Sequence, residues 1–142
     1  MKISPETIIA EARSWLETPY RHHADVKGAK GGVDCAMLLV RVFVDIGAVP
    51  ALDPRPYPTD FYMHSDEPRY LGWISQYGHQ VDKGEPGDVA TFQFGRSVSH
   101  AGIYIGDDLM IHAFQKAGKV TTSEIQRSPY LAQRFKGFWR IK

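Results

Sequence analysis

The sequence predicts an α+β fold in one domain over residues 1–142, with helices in the first half and an antiparallel sheet in the second. Two patterns indicate this class. Before residue 80, apolar residues recur at helical spacing between proline and glycine breaks. After it, short β-branched and aromatic runs alternate with turn residues, which is typical of an antiparallel meander. We therefore expect helices packed on one face of a sheet of roughly four to six strands.

The first two predicted helices flank a glycine-rich loop. The first begins at Ser4-Pro5-Glu6, where a capping serine precedes a proline and an acid, and Pro19 ends it. The second begins at Asp34 and is apolar on nearly every side as far as Gly47, which is typical of a buried helix. Residues 21–33 between them contain three glycines and predict a mobile or tightly turned loop.

An irregular connection and a third helix complete the first half. Residues 50–58 hold four prolines, a composition that excludes a helix or a central strand. Ser65 or Asp66 is the predicted cap of a third helix, which has Pro68 near its start and runs to Tyr77.

Five strands are predicted after residue 80. They lie at residues 89–94, 98–105, 109–114, 120–125 and 135–141, and a short helix near residues 128–134 precedes the last. The turn at Gly106-Asp107-Asp108 joins the second and third of these strands into a hairpin.

Charge and cysteine content narrow the functional classes. The chain has 17 Lys and Arg against 16 Asp and Glu, with the basic residues scattered, so nucleic-acid binding is not indicated. One cysteine excludes an internal disulfide and argues against a cysteine-rich zinc site. No apolar run is long enough for a membrane span, and the N-terminal residues lack the apolar stretch of a signal peptide. We expect cytoplasmic synthesis, with another component carrying the protein if it acts outside the cell.

The single cysteine, Cys35, lies where the glycine-rich loop meets the second helix. A helix N-terminus stabilises a thiolate through its free N–H groups and its dipole. The same N–H groups can receive the oxyanion that forms when the sulfur attacks a carbonyl. This position favours a nucleophile; the alternative is a buried structural cysteine, a common environment for this residue.

His100 and His112 lie on the two strands of the predicted hairpin. Centring the turn near residue 106 or 107 brings His100 opposite residue 112 or 113, so the two imidazoles are expected to be cross-strand neighbours. A thiol paired with a histidine that a third polar group orients is the general arrangement of thiol catalysis. The alternatives are strand histidines without a chemical role, or a zinc site, which no HExxH spacing or cysteine pair supports.

Three further residues are candidates near the thiol. Tyr20 follows Thr18-Pro19, and its hydroxyl is a candidate for the oxyanion side. An acid at Asp34 beside the sulfur would disfavour a thiolate, so helix capping is its favoured role. His23, next to His22 in the glycine-rich loop, either shapes a substrate cleft or is solvated.

An ordered set of motifs covers the chain from about residue 11 to its end. The set comprises Thr18-Pro19-Tyr20, Gly32-Val33-Asp34-Cys35, Pro86-Gly87-Asp88, Ser99-His100-Ala101-Gly102-Ile103-Tyr104-Ile105-Gly106 and Ile111-His112-Ala113. In order and spacing it resembles the NlpC/P60 cysteine peptidases. Each motif alone is weak, whereas the ordered set is specific.

The resemblance implies a papain-like α+β fold and assigns roles by position. Cys35 matches the nucleophile of the family, His100 its base and His112 the polar residue that orients the base. Tyr20 matches the tyrosine on the oxyanion side. The usual substrate is a peptidoglycan stem peptide, cut next to D-glutamate, and neither a cofactor nor a metal is required.

Residues beside these matches are expected to contact the substrate or the oxyanion. Ala36 follows the nucleophile and Ser99 precedes the base. The sequence also departs from the family here, because Ala36-Met37 replaces the common Ser-Gly and the interval from Tyr20 to Cys35 is a few residues longer. These changes concern substrate preference more than the nucleophile.

Three segments resemble a narrower branch of the family, encoded by phages, prophages and gene-transfer agents. They are residues 21–28, the proline-rich residues 54–58, and residues 60–64. In that branch the domain is a cell-wall peptidase associated with the phage tail, which implies tail proteins as partners and a place in the virion. Two rivals remain: a tail component that keeps the fold without turnover, and an amidase or acyltransferase that uses the same residues on another substrate.

Overall fold

A computed structural model describes residues 3–55 and 69–141 of the chain. Its helices are α1 (Pro5–Arg13), α2 (Cys35–Asp45), α3 (Arg69–Tyr77) and α4 (Pro129–Ala132). Ser4 and Ser128 cap α1 and α4 by accepting hydrogen bonds from backbone N–H groups in their first turns. None of the helices in this part of the chain is long and apolar enough to cross a membrane.

The strands form a two-stranded ribbon and a six-stranded antiparallel sheet. The ribbon pairs β1 (Asp25–Val26) with β2 (Gly32–Val33), and the sheet contains β3 (Gly78–Val81), β4 (Val89–Phe94), β5 (Ser97–Gly106), β6 (Leu109–Phe114), β7 (Lys119–Glu124) and β8 (Phe135–Ile141). The strand order in the sheet is β3-β8-β4-β5-β6-β7. Helices packed on an antiparallel sheet confirm the predicted α+β class.

Helix α2 lies against one face of the sheet, on strands β5 and β6. Its apolar residues are buried on nearly every side; Met37 and Val42 are 1% and 0% exposed. The helix ends before Gly47, whose φ of 78° is in the left-handed region that glycine adopts without strain. This confirms the predicted buried helix, and it fixes the N-terminus of α2 at one end of β5.

A second apolar cluster covers the opposite face of the sheet. Its buried members include Phe92, Met110 and Leu131, the last contributed by α4. Half-buried aromatic rings surround it, among them Phe94 and Phe114. The two faces therefore differ, with an aliphatic helix on one and an aromatic layer on the other.

Strand β5 contains a bulge at Ser99. Phe92 pairs with His100 while the next residue of β4 pairs with Val98, so Ser99 is an extra residue in the ladder. A bulge of this kind changes the direction in which the following side chains point. Val98 and Ala101 both join the cluster under α2, whereas His100 contacts aromatic rings of the opposite face.

The hairpin register differs from the predicted one. The turn is centred at Asp107-Asp108, both with positive φ, and β5 pairs Ile103 with Ile111. Continuing that register places Gly102 opposite His112, and a Cβ on Gly102 would lie 3.0 Å from the His112 Cβ. The prediction that His100 lies directly opposite residue 112 or 113 was wrong, because it placed the turn too early in the chain. The imidazoles are diagonal neighbours, and Gly102 provides the space between the strands.

Other differences lie at the edges of the fold. Helix α1 ends at Arg13, well before Pro19. The predicted loop at residues 21–33 is tightly turned and contains the β1–β2 ribbon. Strand β3, which has no counterpart among the predicted strands, is a short edge strand with two exposed polar residues and so lacks an apolar pattern. The predicted helix cap at residue 65 or 66 lies outside the described residues.

Candidate active site

Cys35 is the first residue of α2 and is half-buried. Its Sγ lies 3.7 Å from the carbonyl oxygen of Ser99, the bulged residue of β5, toward which the thiol donates. The sulfur is therefore not sealed in the core. The bulge and the helix N-terminus together bring the thiol next to the residue that precedes His100.

Asp34 caps α2 and directs its carboxylate to backbone N–H groups. Oδ1 accepts a hydrogen bond of 2.9 Å from Met37 N, and Oδ2 accepts one of 2.7 Å from His23 N. His22 Nδ1 lies 3.7 Å from the same Oδ2. This confirms capping as the role of Asp34, and it shows that His23, held at a positive φ of 66°, anchors the loop through its backbone.

The two histidines form a hydrogen-bonded chain with Ser123. His100 Nε2 lies 2.8 Å from His112 Nδ1, and His112 Nε2 lies 2.8 Å from Ser123 Oγ. We call these three residues the imidazole chain. It crosses strands β5, β6 and β7, and both rings are buried, with His112 fully inaccessible to solvent.

Burial keeps both imidazoles neutral. Desolvation lowers the pKa of His100 from 6.5 to about 4. The pKa of His112 is also well below 6.5, first through desolvation and then through the neighbouring His100. At neutral pH the resting site therefore has two uncharged rings, each able to donate from one nitrogen and to accept at the other.

The hydrogen bonds of the imidazole chain determine which nitrogen of His100 is available for proton exchange with the sulfur. Nε2 of His100 is occupied by His112, so Nδ1 is the ring nitrogen that can exchange a proton with a thiol. If Ser123 accepts from His112 Nε2, then His112 Nδ1 accepts from His100 Nε2, and Nδ1 of His100 carries a lone pair. This tautomer is the one that a general base requires.

The structure places the other candidate residues around the helix start. Tyr20 is half-buried; its N–H donates to Gly118 O at 2.8 Å and its backbone forms a bridge with Val33. Ala36 is the second residue of α2, 3% exposed. The Ser99 hydroxyl donates to Phe94 O at 3.3 Å, so Ser99 faces Cys35 with its carbonyl.

One predicted motif does not contribute to the site, and one site residue was not predicted. Asp88, from the Pro86-Gly87-Asp88 motif, accepts two hydrogen bonds of 2.9 Å from Arg140 and thereby ties β4 to β8. Ser123 was missed because a serine in an alternating strand carries no distinctive signal; only the register of β6 and β7 could have indicated it. No metal-ligand cluster of three or more His, Cys, Asp or Glu occurs within residues 3–55 and 69–141.

A thiol at a helix N-terminus, in contact with the strand of the packed antiparallel sheet that carries a histidine, is typical of a papain-like fold. The profile of the NlpC/P60 family matches residues 17–140. The chain belongs to the NlpC/P60 family.

Two curated relatives carry the name Probable endopeptidase. The one from Haemophilus influenzae is 28% identical over an alignment of 138 residues that covers 93% of this chain and 70% of that protein. The one from Mycobacterium tuberculosis is 35% identical over 85 residues, 60% of this chain and 18% of that protein. The chain thus spans less than a fifth of the length of the mycobacterial relative.

Two solved structures show the same fold. An NlpC/P60 family protein from Bacillus cereus has a TM-score of 0.68 and 23% identity, with coverage of 99% of this chain and 41% of that one. RipD from Mycobacterium tuberculosis, described as a non-catalytic NlpC/p60 domain protein adapted to peptidoglycan binding, has a TM-score of 0.63 and 15% identity over the full chain. At these identities the likeness establishes the fold alone.

Proposed function

We propose that this chain is a cysteine hydrolase that cuts amide bonds in peptidoglycan stem peptides, next to D-glutamate. The observation that carries the proposal is the approach of the Cys35 thiol, at the start of α2, to the strand that presents the imidazole chain. Membership of the NlpC/P60 family and the relatives named as endopeptidases support the same reaction class.

Acylation begins with transfer of the thiol proton from Cys35 to His100 Nδ1 as the sulfur attacks the amide carbonyl. In the resting state the thiol donates toward the carbonyl of Ser99, the residue before His100, so the transfer requires the thiol proton to turn from this carbonyl to the imidazole. The charge of the new thiolate stabilises the imidazolium that burial otherwise disfavours. A carbon–sulfur bond forms and the carbonyl oxygen becomes an oxyanion.

The oxyanion is received by the N-terminus of α2. The N–H groups of Met37 and Leu38 are already occupied by Asp34. We assign the oxyanion to the N–H of Ala36, one residue earlier, and, from the family resemblance, to the hydroxyl of Tyr20.

The remaining steps restore the enzyme. The tetrahedral adduct collapses, the carbon–nitrogen bond breaks, and His100 Nδ1 gives its proton to the leaving amine. Water then transfers a proton to His100 and attacks the thioester, the carbon–sulfur bond breaks, and the sulfur recovers the proton. Each cycle consumes one water and produces an amine and a carboxylic acid.

Ser123 completes the base as a positioning residue. While His100 is an imidazolium, both of its ring nitrogens donate, so His112 Nδ1 must accept and His112 Nε2 must carry the hydrogen. The Ser123 oxygen at 2.8 Å accepts that hydrogen and so favours the tautomer on which catalysis depends. Its contribution is indirect and smaller than that of either histidine.

The test is cleavage of purified muropeptides by the wild-type protein and by Cys35→Ala, followed by mass spectrometry of the products. We expect a new amine and a new carboxylate at D-glutamate, and loss of turnover by at least about 10³-fold in the variant, because the nucleophile is removed. Circular dichroism of the variant checks that it is folded. Equal cleavage by both proteins would reject the mechanism, and products from another amide would redirect the proposal to an amidase or acyltransferase.

Binding without turnover is the second candidate, because RipD combines this fold with a non-catalytic description. It predicts that the wild-type protein sediments with insoluble peptidoglycan and that no fragment is released during prolonged incubation. Measuring retention and release in one experiment separates the two candidates.

We also propose that the chain acts as part of a phage tail or a related particle. The support is the resemblance of residues 21–28, 54–58 and 60–64 to phage, prophage and gene-transfer-agent members. Mass spectrometry of purified tail particles from a host that expresses this chain tests the proposal. Recovery of the chain in intact tails is expected, and its presence only in the soluble fraction would contradict it.

A further inference from the structure

Two positive charges converge on one aromatic ring beside the imidazole chain. Lys116 Nζ lies 3.9 Å from the centroid of the Tyr130 ring, and Arg134 Cζ lies 4.1 Å from the same centroid. The charges are therefore no more than about 8 Å apart, which is within the Debye length at physiological salt, so they repel each other. Neither has a carboxylate within ion-pair distance anywhere in residues 3–55 and 69–141.

Another cation that stacks on an aromatic ring in this protein also has an acidic partner. Lys27 lies over the Trp15 ring at 5.2 Å and is also paired with Glu11, whose Oε2 is 3.0 Å away. The cation pair on Tyr130 has the aromatic contact and lacks the acid. An anion bound between Lys116 and Arg134 would supply the missing charge.

Aromatic rings connect the cation pair to His100. Phe94 lies edge-on to the His100 ring at a centroid distance of 5.7 Å, and Tyr130 lies 6.0 Å from Phe94. Arg134 stacks on Phe94 at 5.2 Å and donates one hydrogen bond to Tyr130 O, which leaves its other N–H groups for a ligand. Phe94, Tyr130 and Arg134 are each only partly buried, so this surface is accessible.

The position of the rings relative to His100 indicates which part of a substrate would lie there. His100 protonates the leaving amine in the proposed reaction, so the residue that carries this amine must pass close to His100. The aromatic rings lie against His100 in the apolar cluster on the sheet face opposite α2, whereas the acyl group is bound by Cys35 at the start of α2. Phe94 and Tyr130 thus connect the cation pair to His100, the residue that protonates the leaving amine in the proposed reaction.

We propose that Lys116 and Arg134, on the platform of Phe94 and Tyr130, form a subsite for a carboxylate on the leaving-group side of the substrate. The proposal rests on the proposed function, because it places an acidic leaving residue beside His100. The subsite selects substrates by charge and takes no part in the proton transfers.

The test compares two synthetic stem peptides that differ only on the leaving residue, where one has a free carboxylate and the other a carboxamide. The wild-type protein is expected to favour the carboxylate by about tenfold, through KM, because two partly exposed ion pairs together contribute that order of binding. Lys116→Gln combined with Arg134→Gln should abolish the preference and leave cleavage of the carboxamide within about twofold of wild type. Arg134→Lys, which keeps the charge, should retain most of the preference for the carboxylate peptide.

Lys83→Gln is the control for removal of a single positive charge, since Lys83 is exposed and precedes β4, whereas Phe94 ends that strand. Equal loss on both peptides in the double variant, or no preference in the wild type, would overturn the subsite. If the wild type cleaves neither peptide, the proposed function fails separately. Calorimetry then decides the subsite: tighter binding of the carboxylate peptide supports it, and equal binding overturns it.

Discussion

The imidazole chain and the Asp88–Arg140 ion pair both bury polar groups in the same sheet, but in opposite electrical states. The imidazole chain joins β5, β6 and β7 through neutral rings whose pKa values are lowered by burial. Asp88 is nearly inaccessible and binds Arg140 through two charged hydrogen bonds, which raise the pKa of the Arg140 guanidinium. His100, His112 and Asp88 all belong to the ordered set of sequence motifs.

This difference in charge corresponds to a difference in role, because one cluster is suited to proton transfer and the other to structural support. A neutral imidazole with a lone pair can accept and return a proton within one reaction cycle. A bidentate guanidinium–carboxylate pair cannot, but it holds two strands in register. Asp88 Oδ2 also accepts from Glu85 N at 2.7 Å, so this cluster fixes the turn that starts β4. We therefore expect substitutions in the two clusters to affect activity and stability in opposite proportions.

The largest effect is expected from His100→Asn. Removal of the general base should lower kcat by about 10³-fold, because proton transfer to and from Nδ1 is lost in every step. His79→Asn, an exposed histidine on β3, is the control and should leave kcat unchanged. Steady-state kinetics on muropeptides measures both, and retention of more than a tenth of the activity in His100→Asn would exclude this ring as the base.

The buried imidazole also makes stability depend on pH. The unfolded chain protonates His100 below its usual pKa of 6.5, whereas the folded protein does so only near 4. This contribution to stability is complete above pH 6.5 and is lost as the pH falls, by about 3 kcal/mol in the free energy of unfolding. Urea unfolding at pH 7, 5.5 and 4 should show a steeper decline for the wild type than for His100→Asn. Parallel declines would contradict the buried neutral ring.

Asp88→Asn should lower the stability of the fold more than its activity, in contrast to His100→Asn. Loss of the carboxylate leaves Arg140 without its buried partner, and we expect the free energy of unfolding to fall by about 2 kcal/mol. Glu85→Gln, which removes the exposed partner of the same arginine, should change it by less than about 0.5 kcal/mol. The kcat of folded Asp88→Asn should stay within about twofold of wild type. A large loss of kcat without loss of stability would place Asp88 in the active site.

Ser123→Ala should give the smallest effect, a fall in kcat of about tenfold with little change in KM, because only the orientation of His112 is disturbed. Ser123→Thr keeps the hydroxyl and should restore most of the rate. Thr121→Ala is the matched control, since Thr121 pairs directly with His112 across the ladder. Equal losses in the two alanine variants would indicate that packing of β7, rather than the Ser123 hydroxyl, supports the histidine.

The sequence predicted those parts of the molecule that depend on local patterns. Cys35 at a helix start, the cap at Asp34 and the buried helix that follows were predictable because one segment contains all the interactions. Which residues share a site across strands depends on register. The bulge at Ser99 and the turn at Asp107-Asp108 change that register, so the diagonal contact of the imidazoles and the contribution of Ser123 were visible only in three dimensions.

The most direct test of the account is the rate of Cys35 alkylation by iodoacetamide at pH 7 in the wild type and in His100→Asn. The account predicts that the folded wild-type thiol reacts at least about tenfold faster than in the variant, because His100 removes the thiol proton as the sulfur attacks. Equal rates in the two proteins, at the level of the unfolded chain, would show that the imidazole does not act on the sulfur and would contradict the proposed mechanism.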